Sequence, residues 1–120
     1  MCIREATKSY AEGMRQVATS IMRFLGMALD VEDPKFYEAS KEGICDIRIN
    51  FYPPCPEPER VIGINPHADV LGITLLLECG VVPGLQVLKY GQWVIVQPID
   101  DALVVDLGGI TEVKTSFPFK

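Results

Sequence analysis

Asn65-Pro66-His67-Ala68-Asp69-Val70-Leu71-Gly72-Ile73-Thr74-Leu75-Leu76-Leu77 is the stretch around which the chain is organised. Its second half, rich in Ile and Leu from Gly72 to Glu78, reads as a strand buried on both faces. Its first half carries the single histidine of the sequence, His67, two residues before a carboxylate. In extended backbone, residues i and i+2 project to one face. His67 and Asp69 can therefore place an imidazole nitrogen and a carboxylate oxygen around one point.

Such a pair is two thirds of the two-histidine, one-carboxylate triad that holds non-haem iron(II). Alone, His-x-Asp is a weak signal that chance produces often, and it describes a surface turn better than a metal site. The neighbouring segments have to decide.

Towards the N-terminus, Val61-Ile62-Gly63-Ile64 is a short strand that delivers the chain to Pro66-His67. Tyr52-Pro53-Pro54-Cys55-Pro56-Glu57-Pro58 is a stiff connection, because each proline fixes its own φ and restricts its predecessor. Before it, Ile47, Ile49 and Phe51 alternate with Asp46, Arg48, Asn50 and Tyr52, the pattern of a strand with one polar face. That face meets either solvent or a polar pocket inside a barrel. Asp33-Pro34 is a helix start, with Asp as N-cap and Pro at the first helical position, and a short helix runs to about Ala39. From Ile3 to Leu29, Tyr10, Met14, Val17, Ile21, Phe24 and Ala28 recur at spacings of three and four, which makes a long amphipathic helix with a packing face.

Towards the C-terminus, Gly84 to Leu88 alternates and Trp93 to Val96 returns antiparallel to it. Tyr90-Gly91 makes the tight turn of this hairpin. Ala102 to Leu107 is a further strand, ended by Gly108-Gly109, and Ile110 to Lys120 carries no clear pattern. Helices first, then about six short strands with close turns, point to an α+β chain, mainly β, built as a sandwich or barrel.

The bulk composition excludes several classes. Nearly half of the 120 residues (48%) are apolar and 22% are charged, a globular balance. A net charge of −5 opposes a general nucleic-acid surface. No apolar run approaches a membrane span and no signal peptide opens the chain, so a cytoplasmic protein without a membrane partner is expected. The four cysteines, Cys2, Cys45, Cys55 and Cys79, form no CxxC pair. Reduced thiols are therefore expected in place of a zinc site or a disulfide framework.

Specific motifs then accumulate. Arg48-Ile49-Asn50-Phe51-Tyr52-Pro53-Pro54-Cys55-Pro56 resembles the R-x-N-[YF]-Y-P-P-C-P signature of the plant iron(II)/2-oxoglutarate-dependent dioxygenases, the isopenicillin N synthase-like group. Val61 to Asp69 is similar to that family's G-L-x-P-H-[ST]-D segment. Ile73 to Leu77, Gly84 to Val87, Gly91-Gln92-Trp93 and Ala102 to Gly108 follow in the family's order. The resemblance implies a long N-terminal helix packed on an incomplete double-stranded β-helix, or jelly roll. It divides the chain into a helical buttress (1–43), a partial dioxygenase core (44–109) and a divergent tail (110–120). It makes His67 and Asp69 iron ligands and Tyr52 a hydrogen-bond donor near 2-oxoglutarate. Asn50, on the same strand face as Tyr52, becomes a candidate for the same pocket, and no further catalytic side chain is assigned. Fe(II) as cofactor, 2-oxoglutarate as cosubstrate, O2, a small organic substrate and ascorbate as a candidate further requirement come with it.

The chain also departs from the pattern. The family's second histidine and the R-x-S motif whose arginine pairs bidentately with 2-oxoglutarate have no counterpart here; the last arginine is Arg60. The expectation is therefore a fragment of a dioxygenase, inactive by itself, from an incomplete gene model, a splice variant or a pseudogene. The competing expectation is a non-catalytic β-helix module that binds a partner.

Overall fold

The helix α1 spans Ile3–Ala28, close to the range the periodicity predicts. At its start the Glu5 carboxylate accepts the Cys2 backbone N–H at 3.2 Å, and Cys2 O accepts from Glu5 and Ala6. Two otherwise orphaned groups are satisfied there. At its end Asp30 has φ of 55°, Val31 N–H donates to Gly26 O at 2.9 Å and Asp30 N–H to Met27 O at 3.5 Å. This is a Schellman closure with an aspartate where glycine is commonest. The computed structural model describes residues 2–31, 38, 43–80 and 82–111. The short helix expected from Asp33 to Ala39 lies, apart from Glu38, outside the described residues.

The covered face of α1 is turned by about one residue from the predicted stripe. Met22, at 8% exposure, and Gly26 are its buried positions, flanked by half-buried Ala11, Ala18, Leu25 and Leu29. Tyr10, Val17 and Phe24 of the predicted stripe are exposed. Apolar residues occupy a wide arc of this helix, and periodicity locates the arc without choosing which edge is covered. The half-buried Arg15 Nη1 donates to the Gly43 carbonyl at 2.8 Å, tying residue 43 to the helix.

The chain divides into two compact units, residues 1–68 and 69–120. In the first, α1 is followed by a stretch in which the strands expected at Ile44–Tyr52 and Val61–Ile64 do not form ladders. Residues 44–55 carry no regular secondary structure, and Ile44, Ile49 and Phe51 are exposed. Alternation sets two faces apart, but a strand also needs a neighbour for its N–H and C=O groups, and none pairs with this segment among the described residues. A single 3-10 turn at Pro58–Arg60 ends the proline run, with Arg60 paired to Glu57 at 2.6 Å.

The second unit holds the four strands. β1 (Ile73–Leu76) pairs antiparallel with β4 (Val104–Leu107), Ile73 facing Leu107 and Leu76 facing Val104. β2 (Gln86–Lys89) and β3 (Gln92–Ile95) form the predicted hairpin, with Val87 opposite Val94 and Leu88 opposite Trp93. Its two-residue turn has positive φ at both positions, 51° at Tyr90 and 77° at Gly91. That combination belongs to the I′ turn, whose twist suits antiparallel strands. β2 and β3 expose every residue, so turn geometry and ladder bonds carry the hairpin rather than apolar burial. A tyrosine in the left-handed region costs about 1–2 kcal/mol, against about 0.5–1 kcal/mol from the Lys89 ammonium 5.6 Å above its ring. Tyr90→Asn is therefore expected to raise the unfolding free energy read from the hairpin amides in urea by a few tenths of a kcal/mol, and the midpoint with it. A lowered midpoint would contradict the strain argument.

Glu78 follows β1 and staples the next loop. Its Oε1 accepts the Gly84 and Leu85 amides at 3.3 and 3.1 Å, while Oε2 is buried without a hydrogen-bond partner. Among the described residues, no helix is long and apolar enough to cross a membrane.

Candidate functional site

The segment carrying His67 and Asp69 runs from the end of the first unit into the start of the second. His67 is exposed, and its Nδ1 lies 2.8 Å from the Asn65 carbonyl oxygen. A carbonyl oxygen only accepts, so Nδ1 is the N–H donor and the ring lone pair of the neutral tautomer sits on Nε2. A histidine whose second nitrogen bonds a backbone carbonyl has the arrangement common among metal-ligating imidazoles.

Asp69 is half-buried, and its Oδ2 accepts a hydrogen bond from the Thr74 hydroxyl of β1. Its carbonyl accepts the Gly109 amide at 2.9 Å. Beside it, the Gly72 carbonyl accepts both the Gly108 amide at 3.2 Å and the hydroxyl of Thr111. Thr111 is 1% exposed, so that hydroxyl is buried and satisfied. The backbone of Gly108 lies so close to residues 69–71 that a Cβ there would overlap the Leu71 carbonyl oxygen and come within 2.8 Å of the Asp69 carbonyl oxygen. Residues 69–72 are thus held by the turn that follows β4, at the Ile73–Leu107 end of the β1–β4 pair.

The expected 2-oxoglutarate contacts both lie in the first unit. Tyr52 is exposed, and its ring edge sits against Gly63, 3.0 Å from where a Cβ would stand. Asn50 is exposed. No group of three His, Cys, Asp or Glu side chains able to hold a metal ion occurs among the described residues. An imidazole nitrogen, as on His67, and a carboxylate oxygen, as on Asp69, are each donor types that a borderline divalent metal such as iron(II) accepts. Thr74 and Gly108 lie within the family-like segments Ile73 to Leu77 and Ala102 to Gly108, yet nothing in those segments assigns either a role beside Asp69. Thr74 is a lone hydroxyl in an Ile-Thr-Leu-Leu strand and Gly108 reads as an ordinary strand end. Only the pairing of β1 with β4 reveals what they touch.

The sequence model of the 2OG-Fe(II) oxygenase superfamily matches residues 43–120, well over half of the chain. The chain belongs to the 2OG-Fe(II) oxygenase superfamily. Within it, the chain is similar to oxoglutarate-dependent flavonoid 7-O-demethylase 1 of Ocimum basilicum, with 41% identity over 113 residues. That alignment covers 94% of this chain and 30% of the relative. Codeine O-demethylase of Papaver somniferum is 36% identical over 94% of this chain and 32% of its own length. Gibberellin 20 oxidase 2 of Oryza sativa is 40% identical over 84% and 26%. The chain thus spans about a third of the length of the relatives it matches. The superfamily is enzymatic, and its name specifies Fe(II) and 2-oxoglutarate as the groups its members use.

Proposed function

We propose that this chain is the portion of a 2-oxoglutarate-dependent dioxygenase that supplies His67 and Asp69 to Fe(II) and Tyr52 to 2-oxoglutarate. Asn50, two residues before Tyr52, is proposed to line the same pocket. The supporting observation is the local geometry of the pair: the Asn65 carbonyl presets the His67 tautomer, and Thr74 and Gly109 hold Asp69. Residues 1–43 serve as the helical buttress, 44–109 as part of a double-stranded β-helix, and 110–120 as a divergent tail. When bound, iron and 2-oxoglutarate supply an oxidation driven by O2 that converts 2-oxoglutarate to succinate and CO2. The chain's own residues bind and orient. His67 offers a nitrogen lone pair, Asp69 a negative oxygen, and Tyr52 a phenolic O–H for an acceptor oxygen of the cosubstrate.

The substrate class proposed is a small organic metabolite that is hydroxylated, desaturated or demethylated, with ascorbate as an accessory reductant. Two of the relatives are named as O-demethylases, which favours oxidative removal of a methyl ether. A non-catalytic β-helix module gains no support from these relatives.

The ligand assignment is tested with Mn(II), a redox-quiet divalent ion that prefers oxygen and nitrogen donors over the exposed thiols. Titration followed by electron paramagnetic resonance should show weak saturable binding by the chain. His67→Ala and Asp69→Asn should each weaken it by about ten-fold or more, since losing a ligand costs at least as much as losing a ligand's support. Equal binding by parent and both variants would remove the assignment.

A further inference from the structure

We propose that Thr74 is a positioning residue whose hydroxyl sets the side-chain conformation of Asp69, while the turn beginning at Gly108 sets its backbone. The purpose of this arrangement rests on the reading of Asp69 as a metal ligand. Three observations carry it.

The first is the Thr74 hydroxyl itself. β1 reads Ile73-Thr74-Leu75-Leu76, half-buried throughout, so one hydroxyl sits in an otherwise aliphatic strand. Left without a partner there it would be unfavourable. It donates to Asp69 Oδ2 across the bend at Leu71 and Gly72. The terminal torsion of an aspartate is broad and nearly two-fold. A directional O–H bond to one oxygen narrows it and, by tethering the carboxylate to β1, also holds χ1 in one staggered well, so it defines which oxygen faces away from the strand.

The second is that the backbone of Asp69 is held independently. The Gly109 amide bonds its carbonyl, and the adjacent Gly72 carbonyl receives the Gly108 amide and the buried Thr111 hydroxyl. The third is the absence of room at Gly108, where only a hydrogen fits against the carbonyls of Leu71 and Asp69. Side chain and main chain of one residue are therefore fixed by separate bonds, one from β1 and one from the turn that follows β4, at the same end of the strand pair. A loop with only a structural duty needs the main-chain bonds; the hydroxyl on the carboxylate adds orientation, which matters to a ligand. Supports of this kind around metal ligands typically change affinity by roughly 10–100-fold.

The experiment uses the chain with Thr74→Val, which keeps the shape and loses the hydroxyl, Thr74→Ser, which keeps the hydroxyl, and Asp69→Asn. Three-bond Hα–Hβ couplings of Asp69 in the metal-free chain report its rotamer distribution, and Mn(II) titration reports affinity. The expected result is one Asp69 rotamer in the parent and Thr74→Ser, averaged couplings in Thr74→Val, and Mn(II) affinity lowered about ten-fold in Thr74→Val and restored in Thr74→Ser. A Thr74→Val chain that keeps a single rotamer and parental affinity, while Asp69→Asn weakens binding, would overturn the role of Thr74 and leave the ligand assignment standing. Unchanged affinity in Asp69→Asn would instead remove the ligand assignment, and the purpose of the Thr74 bond with it.

Discussion

Supplied with Fe(II), 2-oxoglutarate, ascorbate and air, the 120-residue chain is expected to release no succinate above the protein-free control. Two deficits act together. The sequence has one histidine, His67, so a single copy offers one imidazole and one carboxylate where the triad needs a second imidazole. No arginine follows Arg60 in these 120 residues, so they offer no counterpart of the R-x-S motif that the resemblance assigns to the far carboxylate of 2-oxoglutarate. Hydrogen bonds to charged groups contribute about 1.5–3 kcal/mol each, so a bidentate arginine pair accounts for about 3–6 kcal/mol. That corresponds to roughly two to four powers of ten in cosubstrate affinity. Lys114 and Lys120 present point charges and cannot reproduce the fork. A second copy brings one further histidine, which on the proposed assignment serves its own site. The measurement is succinate formed with and without added iron. Iron-dependent release that disappears in His67→Ala would sink the expectation. A longer chain that adds a histidine and an R-x-S motif after this sequence is the arm in which turnover should appear.

Gly108→Ala is the substitution expected to damage the second unit most, and Gly109→Ala, one residue on, should be nearly silent. At Gly108 the added methyl would overlap the Leu71 carbonyl oxygen, and its next neighbours, the Asp69 carbonyl oxygen at 2.8 Å and the Leu71 carbonyl carbon at 2.9 Å, are also backbone atoms. Backbone cannot swing aside as a flexible side chain can. Overpacking of this kind costs about 1–3 kcal/mol and occasionally more, and here the bonds from the Gly108 and Gly109 amides would be pulled apart as well. At Gly109 the same methyl would stand 3.8 Å from the Asp69 carbonyl oxygen, an ordinary contact. Urea unfolding read from the amide resonances of β1 and β4 should place Gly108→Ala about 3 kcal/mol below the parent. Gly109→Ala should fall within about 0.5 kcal/mol of it. Equal behaviour of the two variants would mean that the 69–72 loop is not clamped by this turn.

Local signals in the sequence suffice where the structure is local. The heptad-like spacing of Tyr10 to Ala28 located α1 to within a residue at each end, and Tyr90-Gly91 between two alternating runs located the β2–β3 hairpin with its turn. The signals failed where a partner had to be supplied from a distance. Ile47, Ile49 and Phe51 alternate as a strand does, yet no ladder forms there among the described residues. The pairing of β1 with β4 joins Ile73 to Leu107, and nothing near either residue announces the other. The same holds at the candidate site. His67 and Asp69 were legible because they sit in one short motif. Thr74 and Gly108 were not, since their meaning lies in what a long-range pairing brings beside Asp69.

The division of labour between the two units has an optical consequence. The 26-residue helix lies wholly within residues 1–68, whereas the sole tryptophan, Trp93, sits at an exposed position on β3 in the other unit. Among the described residues only 109–111 are helical outside the first unit, so helical ellipticity reports mainly on α1 and indole emission on β3, without any label. Coincident transitions in the two signals would mean that the halves unfold as one cooperative body. Separated transitions would give each half its own midpoint, and would let damage at Gly108 be told apart from damage to the helix in a single sample.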